Sequence, residues 1–301
     1  MKKLTVLALF LMFAFSLGQV AGGLAVASQD VHWTYEGHDG PEHWGELSPD
    51  FALCSDGKEQ TPIDVPSNTP ANPSGIMFQY MPSKLNIGNN GHTIQITYDG
   101  GSSIEVGGKK YDLLQFHFHA LSEHTIDGAH GDMEVHFVHK SADGALAVVG
   151  ALIHGGAENA AYAPVMSNLP AKETAAVTVP GVMIDADDLI PADHEYWNYH
   201  GSLTTPPCSE GVNWLLMTNP LEMSEAQIEA YTTIYDNNYR PIQEFNDRTF
   251  FVGGQPVATE ATPVGMPTTG SGGDYTVPLV TFVLTALASV WAGMTLSRRK
   301  V

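Results

Sequence analysis

Two histidines two residues apart, His117 and His119 in Leu114-Gln-Phe-His-Phe-His119, and a third, His136 in Met133-Glu-Val-His136, form the chain's clearest chemical constellation. In an extended strand the spacing of two puts both imidazoles on one face and turns Phe116 and Phe118 to the other. His136 lies in a second strand-like run, 133–138, after a glycine-containing connection over 127–131. If the two strands pair, a third imidazole reaches the same face. Three neutral imidazoles with a fourth position open suit a catalytic zinc ion, which can then hold a water and acidify it. Taken singly, each would be an ordinary hydrogen-bonded core histidine. Their neighbours argue for the metal: Gln115 and Glu134 each stand two residues before a histidine, on the same strand face, where they can fix a ring's tautomer. Glu123 and His124, just downstream, add a further carboxylate and ring.

The elements that must position these groups are mostly strands. Short runs rich in Val, Ile, Thr and aromatic residues, such as 93–98 and 145–153, alternate with Gly, Pro and Asn turns. The clearest helix covers 224–235, with Ser224 as N-cap and Gln227 three later in a capping-box arrangement. The pattern predicts a mainly β domain with short helices. The segment His194-Glu-Tyr-Trp-Asn-Tyr-His200 has the wrong spacing for the His-Glu-x-x-His helix of zinc peptidases.

With these strands in view the chain resembles the alpha-class carbonic anhydrases, bacterial and exported in type. The resemblance is carried by Trp33-Thr-Tyr-Glu-Gly-His-Asp-Gly-Pro-Glu-His-Trp44, Gln60-Thr-Pro-Ile-Asp64, Asn89-Asn-Gly-His92 and the two histidine strands. It continues through Leu146-Ala-Val-Val-Gly150, Gly201-Ser-Leu-Thr-Thr-Pro-Pro-Cys208, Asn213-Trp214 and Asn238-Tyr-Arg-Pro241, all in family order. It implies a large, twisted, mostly antiparallel central sheet with the site in a conical cavity. It also implies reversible hydration of carbon dioxide to bicarbonate and a proton, by attack of zinc-bound hydroxide.

The resemblance assigns roles. His117, His119 and His136 match the zinc ligands, and Gln115 and Glu134 their hydrogen-bonding partners. Thr204 matches the gatekeeper that accepts a hydrogen bond from the hydroxide and donates its own to Glu123; Thr205 matches a polar contact for bicarbonate. His92 matches the proton shuttle, with Tyr35 and Asn90 ordering the intervening water. Val138, Val148, Leu203, Val212 and Trp214 match the apolar wall where carbon dioxide waits. That logic is sound chemistry: an apolar wall suits a small uncharged substrate, and a histidine titrating near neutrality suits proton exit. Without the resemblance, His92 reads as a plain turn histidine after Asn89-Asn-Gly91. Four departures bear on loop geometry: Ala120 where animal members place Trp, Leu121 where bacterial relatives more often have Pro, Thr61 for the usual Ser, and His200 where Pro is common.

The ends of the chain predict where it works. Lys2-Lys3, an apolar run and Ala25-Val-Ala27 form a signal peptide over 1–27, an uncleaved anchor being the alternative. Residues 28–252 then make one catalytic domain, 253–274 a flexible linker, and 275–297 an uncharged transmembrane span followed by the basic tail 298–301. The basic end should stay cytoplasmic and the enzyme should face the periplasm or exterior. A sorting tail removed by a processing enzyme has the same layout. The two cysteines, Cys54 and Cys208, pair in an exported chain, as in bacterial alpha-class relatives; two buried thiols are the alternative. A formal charge of -20 argues against nucleic acid and against adhesion to anionic lipid. Two other functions compete: a zinc hydrolase acting on esters, and a non-catalytic binding module on the same fold. Cobalt or iron would also suit three imidazoles.

Overall fold

A computed structural model describes residues 31–257. The predicted signal segment 1–27, the span 275–297, the basic tail 298–301 and all but the start of the linker lie outside the described residues. Among the described residues no helix is long and apolar enough to cross a membrane.

The framework is a 13-stranded sheet. Ten of its strands make one continuous path: β1 (Ser83–Asn89), β2 (Ile94–Thr97), β3 (Lys109–His119), β4 (Met133–Lys140), β5 (Leu146–Gly155), β6 (Thr174–Ile184), β7 (Tyr196–Ser202), β8 (Glu210–Met217), β9 (Phe250–Val252) and β10 (Gln255–Val257). Across the sheet they run β6-β1-β2-β3-β4-β5-β8-β7-β9-β10. Every neighbouring pair on this path is antiparallel except β5 with β8, which bears out the expected mostly antiparallel sheet.

Alternation sorts the side chains into two layers. Phe116, Phe118, Val135, Phe137 and Val149 point to one face and join the larger core, all with no exposed surface. Tyr199, Trp214, Val148, Val212 and Leu216 point to the other and form a second cluster on the side of the histidines. The predicted helix is α1 (Glu225–Thr232), shorter than expected, with its capping box intact: Gln227 N–H donates to Ser224 Oγ, and Ser224 N–H to Gln227 Oε1.

One boundary needs correction. The linker was expected to start at Gly253, but Gly253 and Gly254, with φ of 58° and 74°, form the turn of the β9–β10 hairpin. The sheet therefore continues to Val257. A Gly-Gly pair is also one of the favoured two-residue hairpin turns, and composition alone does not separate that from a linker.

Candidate active site

The register of β3 against β4 builds the histidine cluster. His117 stands directly opposite His136, and His119 opposite Glu134. The rings pack with centroids 5.0 Å (His117–His119), 5.3 Å (His117–His136) and 4.6 Å (His119–His136) apart. One nitrogen from each lies within 4.8 Å of the others.

The remaining nitrogen of each ring is held from behind. Nδ1 of His117 lies 2.9 Å from Gln115 Oε1, Nδ1 of His119 2.8 Å from the Asn238 carbonyl oxygen, and Nε2 of His136 2.8 Å from Glu134 Oε1. These acceptors require N–H at those positions, so the lone pairs of His117 Nε2, His119 Nε2 and His136 Nδ1 are left to converge. His119 Nε2 is buried and has no hydrogen-bond partner among the described residues. Burial lowers the pKa of all three imidazoles and keeps them neutral. Three convergent neutral nitrogens with tautomers fixed from behind are a donor set that fits zinc.

Behind His136 runs a hydrogen-bonded chain that crosses the sheet. Glu134 takes His124 Nδ1–H at 2.7 Å and the His124 backbone N–H at 2.8 Å in addition to His136. Burial raises the Glu134 carboxyl, but the His124 and His136 donors outweigh it and hold the pKa well below the ordinary value. His124 Nε2 then meets the Tyr199 hydroxyl at 2.6 Å, and that hydroxyl lies 3.3 Å from Thr61 Oγ1. Thr61 Oγ1 also accepts the Ser202 backbone N–H, two residues before Thr204. The Thr61 hydroxyl is the group that makes both contacts.

Glu123 is fully buried, and burial pushes its pKa up to about 7, against the influence of His136, Thr204 and Arg240. Its Oε1 accepts the Arg240 backbone N–H at 2.9 Å, and Oε2 has no bonded partner. The Thr204 hydroxyl is close enough to favour the ionised carboxylate, although the pair falls short of full hydrogen-bond geometry. The loop bearing Thr204 is tied down by the expected Cys54–Cys208 disulfide, with Cα atoms 5.0 Å apart. Arg240, 1% exposed, spans this brace: its guanidinium donates to Gln60 Oε1, the Thr61 carbonyl and the Cys54 carbonyl at 2.8 to 3.0 Å. Gln60 in turn donates to the Cys208 carbonyl at 3.1 Å.

Val138, Val148, Leu203, Val212 and Trp214 come together in one cluster. They share a face because Gln115 stands opposite Val138, Val138 opposite Val148, and Val148 beside Trp214. Trp214 lies 4.9 Å from the His136 ring. Thr205 is half-buried in the adjoining loop, where its carbonyl accepts the Cys208 N–H at 2.8 Å. His92 is half-buried beyond the turn that Asn90 closes by accepting the backbone N–H groups of His92 and Thr93. Its ring stacks on Trp33, centroids 3.6 Å apart and planes 7° from parallel. Burial and nearby His32 lower its pKa, and Glu173 offsets them in part. The Tyr35 hydroxyl is buried without a bonded partner.

Several groups escaped the sequence reading. His124 was legible only as a neighbour, and the Asn238 carbonyl is a main-chain group with no side-chain signature. Gln95, opposite His117 across β2–β3, adds an unforeseen polar side chain to the site face.

Comparison with known proteins agrees with this geometry. Residues 39–253 match the family of eukaryotic-type carbonic anhydrases. A carbonic anhydrase of Nostoc sp. is 44% identical over 226 residues, covering 73% of this chain and 86% of that one. The alpha-carbonic anhydrase of Thermovibrio ammonificans, solved with the inhibitor sulfanilamide, superposes with a TM-score of 0.71 at 40% identity. That match covers 74% of this chain and 99% of the other. The Photobacterium profundum alpha-carbonic anhydrase gives 0.68 at 39% identity, covering 73% of this chain and all of that one. From its cross-strand histidines to these relatives, the chain belongs to the alpha-class carbonic anhydrases.

Proposed function

We propose that this carbonic anhydrase hydrates carbon dioxide through a zinc ion on His117, His119 and His136, with His92 carrying the proton out. The observation that carries the reading is the nitrogen inventory. Each ring is anchored through one nitrogen, and the other three nitrogens converge. Bound there, zinc supplies Lewis acidity that brings the pKa of water near neutrality, the role it plays in carbonic anhydrases generally.

The protein groups do the rest. Glu123, fixed by Arg240 N–H, is the carboxylate toward which the Thr204 hydroxyl donates its hydrogen bond, which leaves the Thr204 oxygen as an acceptor that orients the nucleophile. The apolar wall from Val138 to Trp214 excludes water from one side and holds an uncharged substrate, while Thr205 offers a polar contact to bicarbonate. Proton exit falls to His92, whose lowered pKa keeps the ring neutral and ready to accept at neutral pH. Tyr35, whose buried hydroxyl has no partner among the described residues, and the Asn90 amide are the groups assigned to order the intervening water. The Asn90 oxygen is already taken by the turn.

His92→Ala tests the shuttle. Turnover should fall at low buffer concentration and recover with added imidazole, and an unchanged rate would remove the role. The same metal centre supports attack on esters, so any esterase activity should vanish with the zinc.

The disulfide fits an oxidising compartment. Together with the two ends of the sequence it supports an exported enzyme held at the cytoplasmic membrane by 275–297. Release of the full chain only by detergent supports the anchor; a soluble form lacking that span supports the processed tail.

A further inference from the structure

We propose that a cavity on the sheet face opposite the histidines binds a neutral saccharide. His200 has no part in the chemistry above, yet it lines this cavity of about 660 Å³. In β7, Asn198 and His200 alternate with Trp197 and Tyr199; in β8, Asn213 lies between Val212 and Trp214. The catalytic cluster takes Tyr199, Val212 and Trp214, so the asparagines and His200 face away from it. One layer of sheet separates the two sites.

The lining has the character of a sugar site. Tyr111 and Tyr196 are buried residues of its wall. His200 is exposed and Phe251 half-buried, and their rings lie 4.8 Å apart and 32° from parallel, an aromatic platform open to solvent. The electron-rich faces of such rings attract the partly positive C–H groups of a pyranose.

Beside the platform, Asn198 Nδ2 donates to Asn213 Oδ1 at 2.7 Å and to the Trp214 carbonyl at 2.8 Å. That leaves Asn198 Oδ1 as acceptor and Asn213 Nδ2 as donor, adjacent and only half-buried. An acceptor and a donor side by side suit neighbouring hydroxyls.

Charge selects a neutral ligand. Among the described residues the wall contains no carboxylate, and its one lysine, Lys109, is paired with Asp143 at 2.8 Å. Gly107, Gly211, Gly253 and Gly254 line the rim, and no atom lies near where a side chain would start, so the mouth stays open. The volume falls within the range of small-molecule sites and exceeds what a single sugar ring needs.

Calorimetric titration of the full chain with cellobiose, and separately with N,N′-diacetylchitobiose, tests the site. Saturable, weak binding of at least one is expected, weakened about tenfold or more by His200→Ala and by Asn213→Asp. Asn213→Asp keeps the acceptor for Asn198 and turns the outward donor into a negatively charged acceptor. Carbon dioxide hydration should be unchanged in both variants. Absence of binding by either disaccharide overturns the proposal, as does binding that both variants leave intact. Displacement by sulfate would mark an anion site at Lys109 and also overturn it.

Discussion

Acid should destabilise this fold through a residue remote from the zinc chemistry, His139. It lies on β4, three residues beyond His136, but on the opposite face among the core side chains, with no exposed surface. Its Nε2 meets the Tyr80 hydroxyl at 2.9 Å, the two rings stack at 5.9 Å, and Nδ1 has no bonded partner. Burial lowers its pKa to about 3, and backbone groups of Ala147 and Phe137 only partly oppose this. The unfolded chain titrates this ring at about pH 6.5, so between the two values the unfolded state binds the extra proton and stability falls as pH falls. At about pH 5 the ring alone removes roughly 2 kcal/mol relative to neutral pH.

Urea unfolding of the wild type and His139→Phe, each at about pH 7 and about pH 5, isolates this contribution. The lost Tyr80 hydrogen bond lowers the variant's stability equally at both pH values, so it cancels. Other histidines cancel as well. The wild type should lose about 2 kcal/mol more than the variant over that interval. Equal losses in the two proteins would refute the reasoning, because they would mean that His139 is protonated in the folded state.

Other expectations follow from the same contacts. Replacing both cysteines by serine opens a loop with a sequence separation of 154. By loop-closure entropy this should cost about 5 kcal/mol, measured by denaturant unfolding with and without reductant. Gly201→Ala drives a methyl into Thr61, with Tyr199 and Trp214 carbons 2.9 and 3.0 Å away. It should cost about 1–3 kcal/mol and lower turnover while zinc content stays normal, because Gly201 sets the approach to Thr204. His124→Ala removes both side-chain bonds between Glu134 and Tyr199, and zinc affinity by competitive chelation should drop about 10–100-fold.

The histidine strands were legible because strand geometry has a period of two. His117 and His119 had to share a face, and Gln115 and Glu134 had to stand beside the rings they hold. The capping box of α1 was equally local. Pairing of β3 with β4 was an inference, and the observed register makes it useful by setting His117 against His136. What stayed hidden depends on contacts between distant segments. The Asn238 carbonyl reaches His119 across 119 positions, and the Arg240 side chain reaches Cys54 across 186. Neither leaves a periodic trace in the sequence. Gly253-Gly254 misled for the opposite reason, since its local signal suits both a turn and a linker. The apolar wall needed the family pattern, because Val138, Val148, Leu203, Val212 and Trp214 adjoin only once three strands and a loop are assembled.

The central claim is that the three convergent imidazoles hold the zinc that drives hydration. Stopped-flow carbon dioxide hydration, with zinc content measured on the same sample, tests it most directly in the wild type and His119→Ala. The account predicts one zinc per wild-type chain with hydration well above buffer, and loss of metal and activity together in the variant. Bound zinc without hydration above buffer, or hydration that survives loss of the metal, would contradict it.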